Sequence, residues 1–435
     1  MRDPNRIVKL IALAGSFMLM AGLAGGYLVY CAPYSDNNAE LEMMRAAAEP
    51  TDWEQVIPKG VPAEQNAASL YEQAFALLNE GTKQEQQLHS AWNRELTAKE
   101  WLTVDSLLQK NQRALQFVRQ AAQKPRCLFT ADRSNPLTGI SPHYARLRAC
   151  ARLLALEARQ RKRQGNINGV AESLRTGMRL SEHLADDPQV LITYLVRLAI
   201  DAIALRNLER TLNDTEASRA DYRAVLNALS RLTPQKDLAR AFVHERLVSR
   251  FMHRLLYMGR LQELPDEAKA QNVRVPWLVG WGIARNEAFT LRALRQMIAE
   301  AQQDGFDWQR INRLSNLEQQ ARRQGCPLAA QLLPVFVKVF PKAAQRQAQV
   351  DATRLAFALR LYRLDHGDYP SSLNTLAPEY LKHVPLDPFS HQPFIYKREG
   401  KGFVVYSVGP NFRNDGGTVN EKKPDNGDIV WRSKL

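Results

Sequence analysis

The sequence predicts a mainly α-helical protein with an N-terminal transmembrane helix, a multi-helix body and a small C-terminal α+β module that contains a short antiparallel sheet. An uncharged apolar segment lies near the N-terminus, apolar residues then recur at helical spacing, and short β-type segments replace that pattern near the C-terminus. The expected units are a cytoplasmic N-terminus (1–9), an anchor (10–30), a linker (31–64), a helical body (65–343) and the module (344–435).

Composition agrees with this architecture. The 435 residues exceed the usual size of one domain, and 45% hydrophobic with 24% charged residues is typical of a folded chain and excludes a disordered one. The formal net charge of +14 favours anionic neighbours such as lipid headgroups, acidic proteins or nucleic acid. The alternative is that the arginines, which are spread over the helices, mainly form solvated helix surface.

The anchor is the clearest feature of the sequence. Residues 10–30 carry no charge, and a helix of about 20 residues spans the roughly 30 Å hydrocarbon layer. Three cations precede the segment and three acids follow it: Arg2, Arg6 and Lys9, then Asp36, Glu40 and Glu42. The positive-inside rule therefore places the N-terminus inside and the body outside a bacterial-type cytoplasmic membrane, which the chain crosses once.

Two alternatives to an uncleaved anchor exist. A cleaved signal peptide has a shorter apolar core of about 7–15 residues, although Ala24 and Gly26 satisfy a small-residue cleavage rule. A lipoprotein-type site at Cys31 needs a small residue before the cysteine, and Tyr30 is bulky. We therefore expect the anchor to be retained.

Helix signals recur through the body. Thr97 and Glu100 form a capping-box pattern, and Gly165 follows a helical segment that ends in cations. Charges interrupt the apolar segment 188–211, which predicts a buried central helix instead of a second membrane span. The apolar segment 327–341 is too short to span a bilayer, and we expect it to pack against the body; a position in the membrane surface is the alternative.

One hairpin of the body resembles a known repeat. Residues 165–171 lie between two amphipathic helices, as in a tetratricopeptide-type repeat, and the pair covers about 35 residues, which is the period of that repeat. The sequence offers no convincing second copy, whereas repeat architectures need several units to bury a continuous core. We therefore expect an ordinary αα-hairpin.

The four cysteines show no CxxC pair and no spacing typical of a metal site: Cys31, Cys127, Cys150 and Cys326. In an oxidising compartment Cys127 and Cys150 could form a disulfide, which would close a loop of about 24 residues and stabilise the fold by about 3 kcal/mol. Alternatively, both are small buried hydrophobic residues. The sequence leaves both interpretations open.

The pattern changes near residue 344. A helix runs into a turn at 365–370, extended chain with prolines follows, and Phe394–Lys397 and Phe403–Ser407 have the pattern of antiparallel strands. Five segments occur in order: Ala358-Leu-Arg-Leu-Tyr-Arg-Leu-Asp-His-Gly-Asp-Tyr-Pro370, Pro385-Leu-Asp-Pro-Phe389, Tyr406-Ser-Val-Gly409, Gly416-Gly417 and Asp428-Ile-Val-Trp431. Together they resemble the globular domain of the major pseudopilin of type II secretion.

The resemblance implies a structural calcium ion in the final loop. Its oxygen ligands would come from the backbone near Val408 and from the side chains of Asn411, Asp415, Asp425 and Asp428, with Asn411 in place of the family's first acidic ligand. Calcium takes six to eight oxygen ligands, and this loop is rich in them. The alternative is an ordinary polar turn, in which Asn and Asp side chains satisfy their own backbone.

The chain also departs from the pseudopilin pattern. Pseudopilins carry an early glutamate in an apolar helix that continues directly into the globular domain. Here no glutamate precedes Glu40, and the whole helical body separates the predicted anchor from the module. Filament assembly through the N-terminus is therefore not expected.

Catalytic patterns are absent from the sequence. His366 beside Asp365 and Asp368 suggests acid–base chemistry, but these residues lie at a helix-ending turn, where a structural role is expected. There is no nucleophile elbow, HExxH, phosphate-binding glycine loop or CxxC pair. We therefore expect no enzymatic activity.

The expected function is that of a membrane-anchored envelope scaffold or adaptor that binds protein partners through its helical body. The alternative is a basic helical protein that binds an anionic polymer, a lipid surface or nucleic acid. Nucleic acid would require a cytoplasmic body, which the predicted topology opposes.

Overall fold

The computed structural model of the chain describes residues 36–82, 85, 88, 94–129, 134–136, 143–187, 190–260, 280–419 and 426–433. The predicted N-terminus (1–9) and anchor (10–30) lie outside these residues. Within the described ranges, no helix combines the length and the apolarity needed to cross a bilayer. The prediction of a mainly helical chain with a small antiparallel sheet near the C-terminus is confirmed.

The first part of the described chain is helical and contains the predicted αα-hairpin. Residues 36–46 (α1) are helical, a 3₁₀ turn follows at Trp53–Val56, and the next helices are α2 (Ala68–Leu77), α3 (Ala98–Lys110), α4 (Gln112–Ala122), α5 (His143–Arg163) and α6 (Ile167–His183). The predicted capping box is confirmed at the start of α3, where the Thr97 side chain accepts a hydrogen bond from the Glu100 N–H. Gly165 follows α5 with φ +73°, a left-handed conformation that suits glycine.

Four helices form the centre of the molecule: α7 (Leu191–Leu212), α8 (Arg219–Ser230), α9 (Pro234–Tyr257) and α10 (Gly280–Ala301). The prediction that α7 is a buried central helix is confirmed, since even its Arg197 and Asp201 are buried. The Arg197 guanidinium donates to the Asp237 carboxylate of α9 at 3.0 Å, which offsets part of the cost of burying that charge.

The C-terminal part begins with helices α11 (Trp308–Leu314), α12 (Leu317–Arg323), α13 (Pro327–Val337) and α14 (Val339–His366). Three antiparallel strands follow in the order β1 (Ile395–Glu399), β2 (Gly402–Ser407) and β3 (Ile429–Ser433). Tyr406 pairs with Ile395 on one side and with Val430 on the other. Gly367, with φ +80°, ends α14 at the turn that the sequence predicted.

The largest core crosses the predicted boundary between body and module. One cluster of buried apolar side chains extends along the sequence from Ala158 to Trp431, and the predicted boundary at residues 343/344 falls inside α14. A second cluster joins residues between Ala67 and Ile200. α14 packs against α7, α8 and α9 of the body and also against β2 and β3.

Three of the four cysteines lie in the described part of the chain. Cys127, Cys150 and Cys326 are buried thiols, and burial raises the pKa of the Cys150 thiol to about 12. Of the two predicted roles, a disulfide or small buried residues, Cys127 and Cys150 have the second in this structure.

Candidate functional site

The candidate site is the loop between β2 and β3 together with its junction with the helical body. The two ends of this loop lie against each other. Gly409 has φ +66°, and a Cβ atom there would lie 2.0 Å from the carbonyl oxygen of Gly427. Only glycine fits so close an approach of two backbones.

Asp428 organises the interior of the loop. Its side chain is buried, and it accepts hydrogen bonds from the N–H groups of Gly417 at 2.7 Å and Asp415 at 3.2 Å. Burial raises the pKa of this carboxyl group, and the two N–H donors oppose that rise. The Asp428 side chain therefore holds the loop in place by binding two of the loop's backbone N–H groups.

Asn411 and Asp415 lie on the outer side of the loop. The Asn411 Nδ2 donates to the Asp415 carboxylate at 2.8 Å, and the Asn411 Oδ1 accepts from the Arg413 N–H at 3.0 Å. With Thr418 and Asn426, these residues line an open depression of about 660 Å³.

The predicted calcium ligands are thus brought together only in part. Asn411, Asp415 and Asp428 are near one another, Asp425 lies outside the described residues, and the Val408 N–H donates to Asp387 at 3.1 Å. In the described ranges, no group of three or more His, Cys, Asp or Glu side chains is placed to hold a metal. The described side chains fit a hydrogen-bonded loop and do not by themselves supply the six oxygens that calcium takes. Calcium binding stays a prediction.

Sequence reasoning missed the role of Asp387. This residue precedes β1 in the chain, and its side chain binds the start of the loop between β2 and β3. Its carboxylate is 2% exposed and accepts from two backbone N–H groups and two serine hydroxyls. The donors are Phe389, Ser390, Ser407 and Val408, at 2.7–3.1 Å. The signal was present in the segment Pro385–Phe389, which the family resemblance had singled out as a motif without assigning the carboxylate a partner.

Aromatic side chains form the junction with the body. The rings of Trp308 and Phe389 are stacked with centroids 5.3 Å apart, and Phe412 meets Trp308 edge-on at 5.2 Å. The Trp308 Nε1 donates to the Pro388 carbonyl oxygen at 2.9 Å. Phe412 is 50% exposed, and the three rings line an open depression of about 600 Å³. This depression, named the aromatic depression below, lies beside the loop and combines the three rings with polar residues that include Asp304, Asp307 and Arg310.

The predicted acid–base trio is dispersed over separate structural contacts. The His366 ring contacts the Tyr362 carbonyl oxygen at 3.0 Å. Asp365 accepts from the Tyr380 hydroxyl at 2.8 Å, while Asp368 accepts from the Arg398 guanidinium. The three side chains thus hold the helix-ending turn, as the structural interpretation expects.

A second depression, of about 420 Å³, lies between α4, α6 and α8. Four arginines and two glutamates contribute to its lining: Arg119, Arg175, Arg179, Arg231, Glu172 and Glu182. The glutamates are engaged by arginines, since Arg161 contacts Glu172 at 2.7 Å and Arg231 contacts Glu182 at 3.4 Å. The lining is therefore net basic.

Comparison with known families agrees with the predicted resemblance. The family model "Type II secretion system (T2SS), protein G" matches residues 336–423, which is about a fifth of the chain. Comparisons with curated proteins and with solved structures give no significant match. The matched segment begins in α13, includes α14 and the strands β1 and β2, and ends in the loop that contains Asn411 and Asp415. The C-terminal region of this chain is therefore similar to the pseudopilins of type II secretion.

Proposed function

We propose that this chain is a non-catalytic, membrane-anchored scaffold or adaptor of the bacterial-type envelope, with a secretion-related role, and that it presents its pseudopilin-like region to protein partners. The observation that carries the proposal is that α14 belongs both to the matched region and to the core of the helical body. The pseudopilin-like region is thus packed into the same core as the helical body.

Two arginines of α14, one of them buried, make this attachment specific. Arg360 is 3% exposed and donates to the Leu212 carbonyl oxygen at the end of α7 and to the Ser433 hydroxyl of β3 at 3.2 Å. Arg354 donates to the carbonyl oxygens of Leu229 and Leu232 at 2.6 and 3.0 Å. Separating the region from the body would remove these donors from the Leu212 and Leu232 carbonyl groups, whereas the Leu229 carbonyl group would keep its bond from the Leu232 N–H.

The aromatic depression is the surface that we assign to a protein partner. Its lining combines aromatic rings with polar side chains, among them Asp304, Asp307 and Arg310, and such combinations are common in protein contact sites. Phe412 projects from the loop with φ +59°, so the loop holds an apolar ring at the surface at a conformational cost.

Site-specific crosslinking tests this assignment in the full-length protein in its own membrane. A photoreactive residue at position 412 should give a discrete crosslinked product with a component of the secretion machinery. The same residue at Leu102, an exposed position on α3, serves as the matched control and should give none. No product at 412, or equal products at both positions, would contradict the proposal.

Topology is tested separately. A reporter that is active only outside the cytoplasm, fused after Leu435, should be active if the body lies outside the membrane. An expressed but silent fusion would put the body in the cytoplasm and favour the alternative function.

The alternative, binding of an anionic polymer or lipid headgroup, is favoured by the arginine-lined depression between α4, α6 and α8. If the arginine-lined depression binds such a ligand, Arg175→Gln should weaken the binding of polyphosphate to the whole protein. The affinity should also fall steeply as the salt concentration rises. Arg113→Gln, on the exposed face of α4, is the matched control. Salt-insensitive binding would exclude this function.

Calcium in the final loop is a further part of the proposal. Asp415 and Asp428 would supply carboxylate oxygens, with Asp425 as a third acid, and the Asn411 side chain would have to turn its oxygen towards the ion. The bound ion would crosslink the loop and stiffen the surface that carries Phe412.

A further inference from the structure

The position of α1 defines the end of the body at which the chain enters. The Asn37 Nδ2 donates to Glu287 of α10 at 2.7 Å, and Arg295, two turns further along α10, contacts Glu40 at 2.9 Å. α1 therefore runs in the same direction as α10. Residue 36, the first residue that the structure describes, therefore lies towards the N-terminal end of α10.

Ion pairs and apolar packing hold α1 and the residues after it against the body. Glu40 is 4% exposed and accepts two hydrogen bonds from Arg295, and Arg246 of α9 reaches Glu49 at 2.6 Å. Leu41 and Met44 pack in an apolar cluster with Leu247 of α9. The segment that the sequence predicts as a linker is thus attached to the body from its first described turn.

The C-terminal end of α9 lies at the same end of the molecule. Arg250 of α9 contacts Glu287 at 3.4 Å, level with Asn37, and the last residue of α9, Tyr257, lies seven residues beyond Arg250. At 1.5 Å per residue, α9 extends about 10 Å past the start of α1, on the side from which the chain enters. We name residues 254–260 the α9 tip.

The α9 tip has the composition of a membrane-contacting surface. Tyr257 and Met258 are 37% and 53% exposed, and Arg254 and Arg260 are exposed beside them. The sequence from residue 246 to residue 260 contains no acidic residue. Arginines beside an exposed aromatic ring and a flexible apolar side chain suit the boundary between anionic headgroups and acyl chains.

We propose that the α9 tip rests on the outer leaflet of the membrane in which residues 10–30 are anchored, and that it contacts anionic lipid headgroups. The proposal rests on the anchored scaffold proposed above. Five residues separate residue 30 from residue 36, and they span at most about 18 Å when fully extended. Because α9 projects about 10 Å into that gap, its tip lies within reach of the bilayer surface.

The same geometry places the pseudopilin-like region away from the membrane. At the N-terminal end of α9, the Gln235 side chain donates to the Gly305 carbonyl oxygen at 2.7 Å, next to the aromatic depression. The 24 residues of α9 measure about 36 Å. The helix thus acts as a spacer between the bilayer and the surface assigned to the partner.

Lipid quenching in vesicles tests the proposal with the full-length protein. Met258→Cys, in a chain with Cys31→Ser, carries an environment-sensitive fluorophore, and the vesicles contain phosphatidylglycerol with a nitroxide at the headgroup or upper acyl chain. Phe412→Cys in the same background is the control at the distal end of α9. The label at 258 should lose most of its fluorescence, and the label at 412 should lose little.

The outcomes separate this proposal from the function on which it rests. Equal quenching at both positions, in protein that resists extraction by alkaline wash, would overturn the α9-tip contact and leave the anchor intact. Release of the protein by alkaline wash would refute the anchor and this contact with it. Reduced quenching at 258 in the Arg254→Glu, Arg260→Glu variant would support contact with anionic headgroups; unchanged quenching would overturn that assignment.

Discussion

Replacing Asp387 by asparagine should destabilise the loop between β2 and β3. The Oδ1 of Asp387 accepts from Ser407 and Phe389, and Oδ2 accepts from Val408 and Ser390. In Asp387→Asn, an NH₂ group that can only donate faces one of these pairs of donors. The serine hydroxyls can rotate, so the loss that no rotation repairs is one backbone N–H, that of Phe389 or of Val408.

The magnitude follows from these contacts. A buried N–H left without an acceptor costs about 1–3 kcal/mol, and the remaining hydrogen bonds lose the strengthening that a charged acceptor provides. Asp387→Asn should therefore lower the free energy of unfolding by roughly 2–4 kcal/mol. Asp387→Ala should cost more, because all four donors then lose their acceptor.

Urea unfolding of the full-length protein, followed by tryptophan fluorescence, measures this effect. Trp308 reports directly on the region, because its Nε1 donates to the Pro388 carbonyl oxygen. Asp304→Asn, an exposed carboxylate beside the same tryptophan, is the matched control and should change stability by less than about 0.5 kcal/mol. An Asp387→Asn variant as stable as this control would refute the reasoning.

Three further predictions follow from the same structure. Gly409→Ala should lower the free energy of unfolding in urea by at least about 2 kcal/mol, because φ is +66° and the new Cβ would lie 2.0 Å from the Gly427 carbonyl oxygen. Gly400→Ala is the control, since Gly400 has φ +58° but no atom near its Cβ position, so this variant measures the backbone strain without the clash. Burial raises the pKa of Asp201 to about 6, so the folded chain holds a proton that the unfolded chain has lost above pH about 4. The stability of the wild type relative to Asp201→Asn should therefore fall as the pH rises from about 4 to about 6 and then stay level; a difference that rises in this window would contradict that sign. Calcium at a free concentration 100-fold above its dissociation constant should add about 2.7 kcal/mol to the stability of the whole protein relative to protein in chelator, and identical melting would remove the site.

Local signals predicted the helix ends and the C-terminal strands. The capping box at Thr97, the glycine after α5 and the turn after α14 depend on residues a few positions apart, so one stretch of sequence contains the whole interaction. The strands that the sequence placed at Phe394–Lys397 and Phe403–Ser407 differ by a residue or two from β1 and β2. The family resemblance then supplied the order of these elements.

Contacts between distant residues were not predictable in this way. Glu40 and Arg295 are 255 residues apart, and each alone is an ordinary charge on an amphipathic helix. The same holds for Asp387, whose donors lie in two separate segments. The net charge of +14 does not reveal which arginines are buried, and Arg246 and Arg360 are buried and bind to particular acids or carbonyl groups.

The arginines of α14 connect the pseudopilin-like region to the helical body. Arg360 donates to the Leu212 carbonyl oxygen at the end of α7, and Arg354 donates to the carbonyl oxygens of Leu229 and Leu232 around the end of α8. Helix ends have carbonyl groups without internal partners and carry partial negative charge, so cations beside them are stabilising. Movement of α14 would remove these arginine donors from the ends of two body helices. The region is therefore expected to move with the body as one unit.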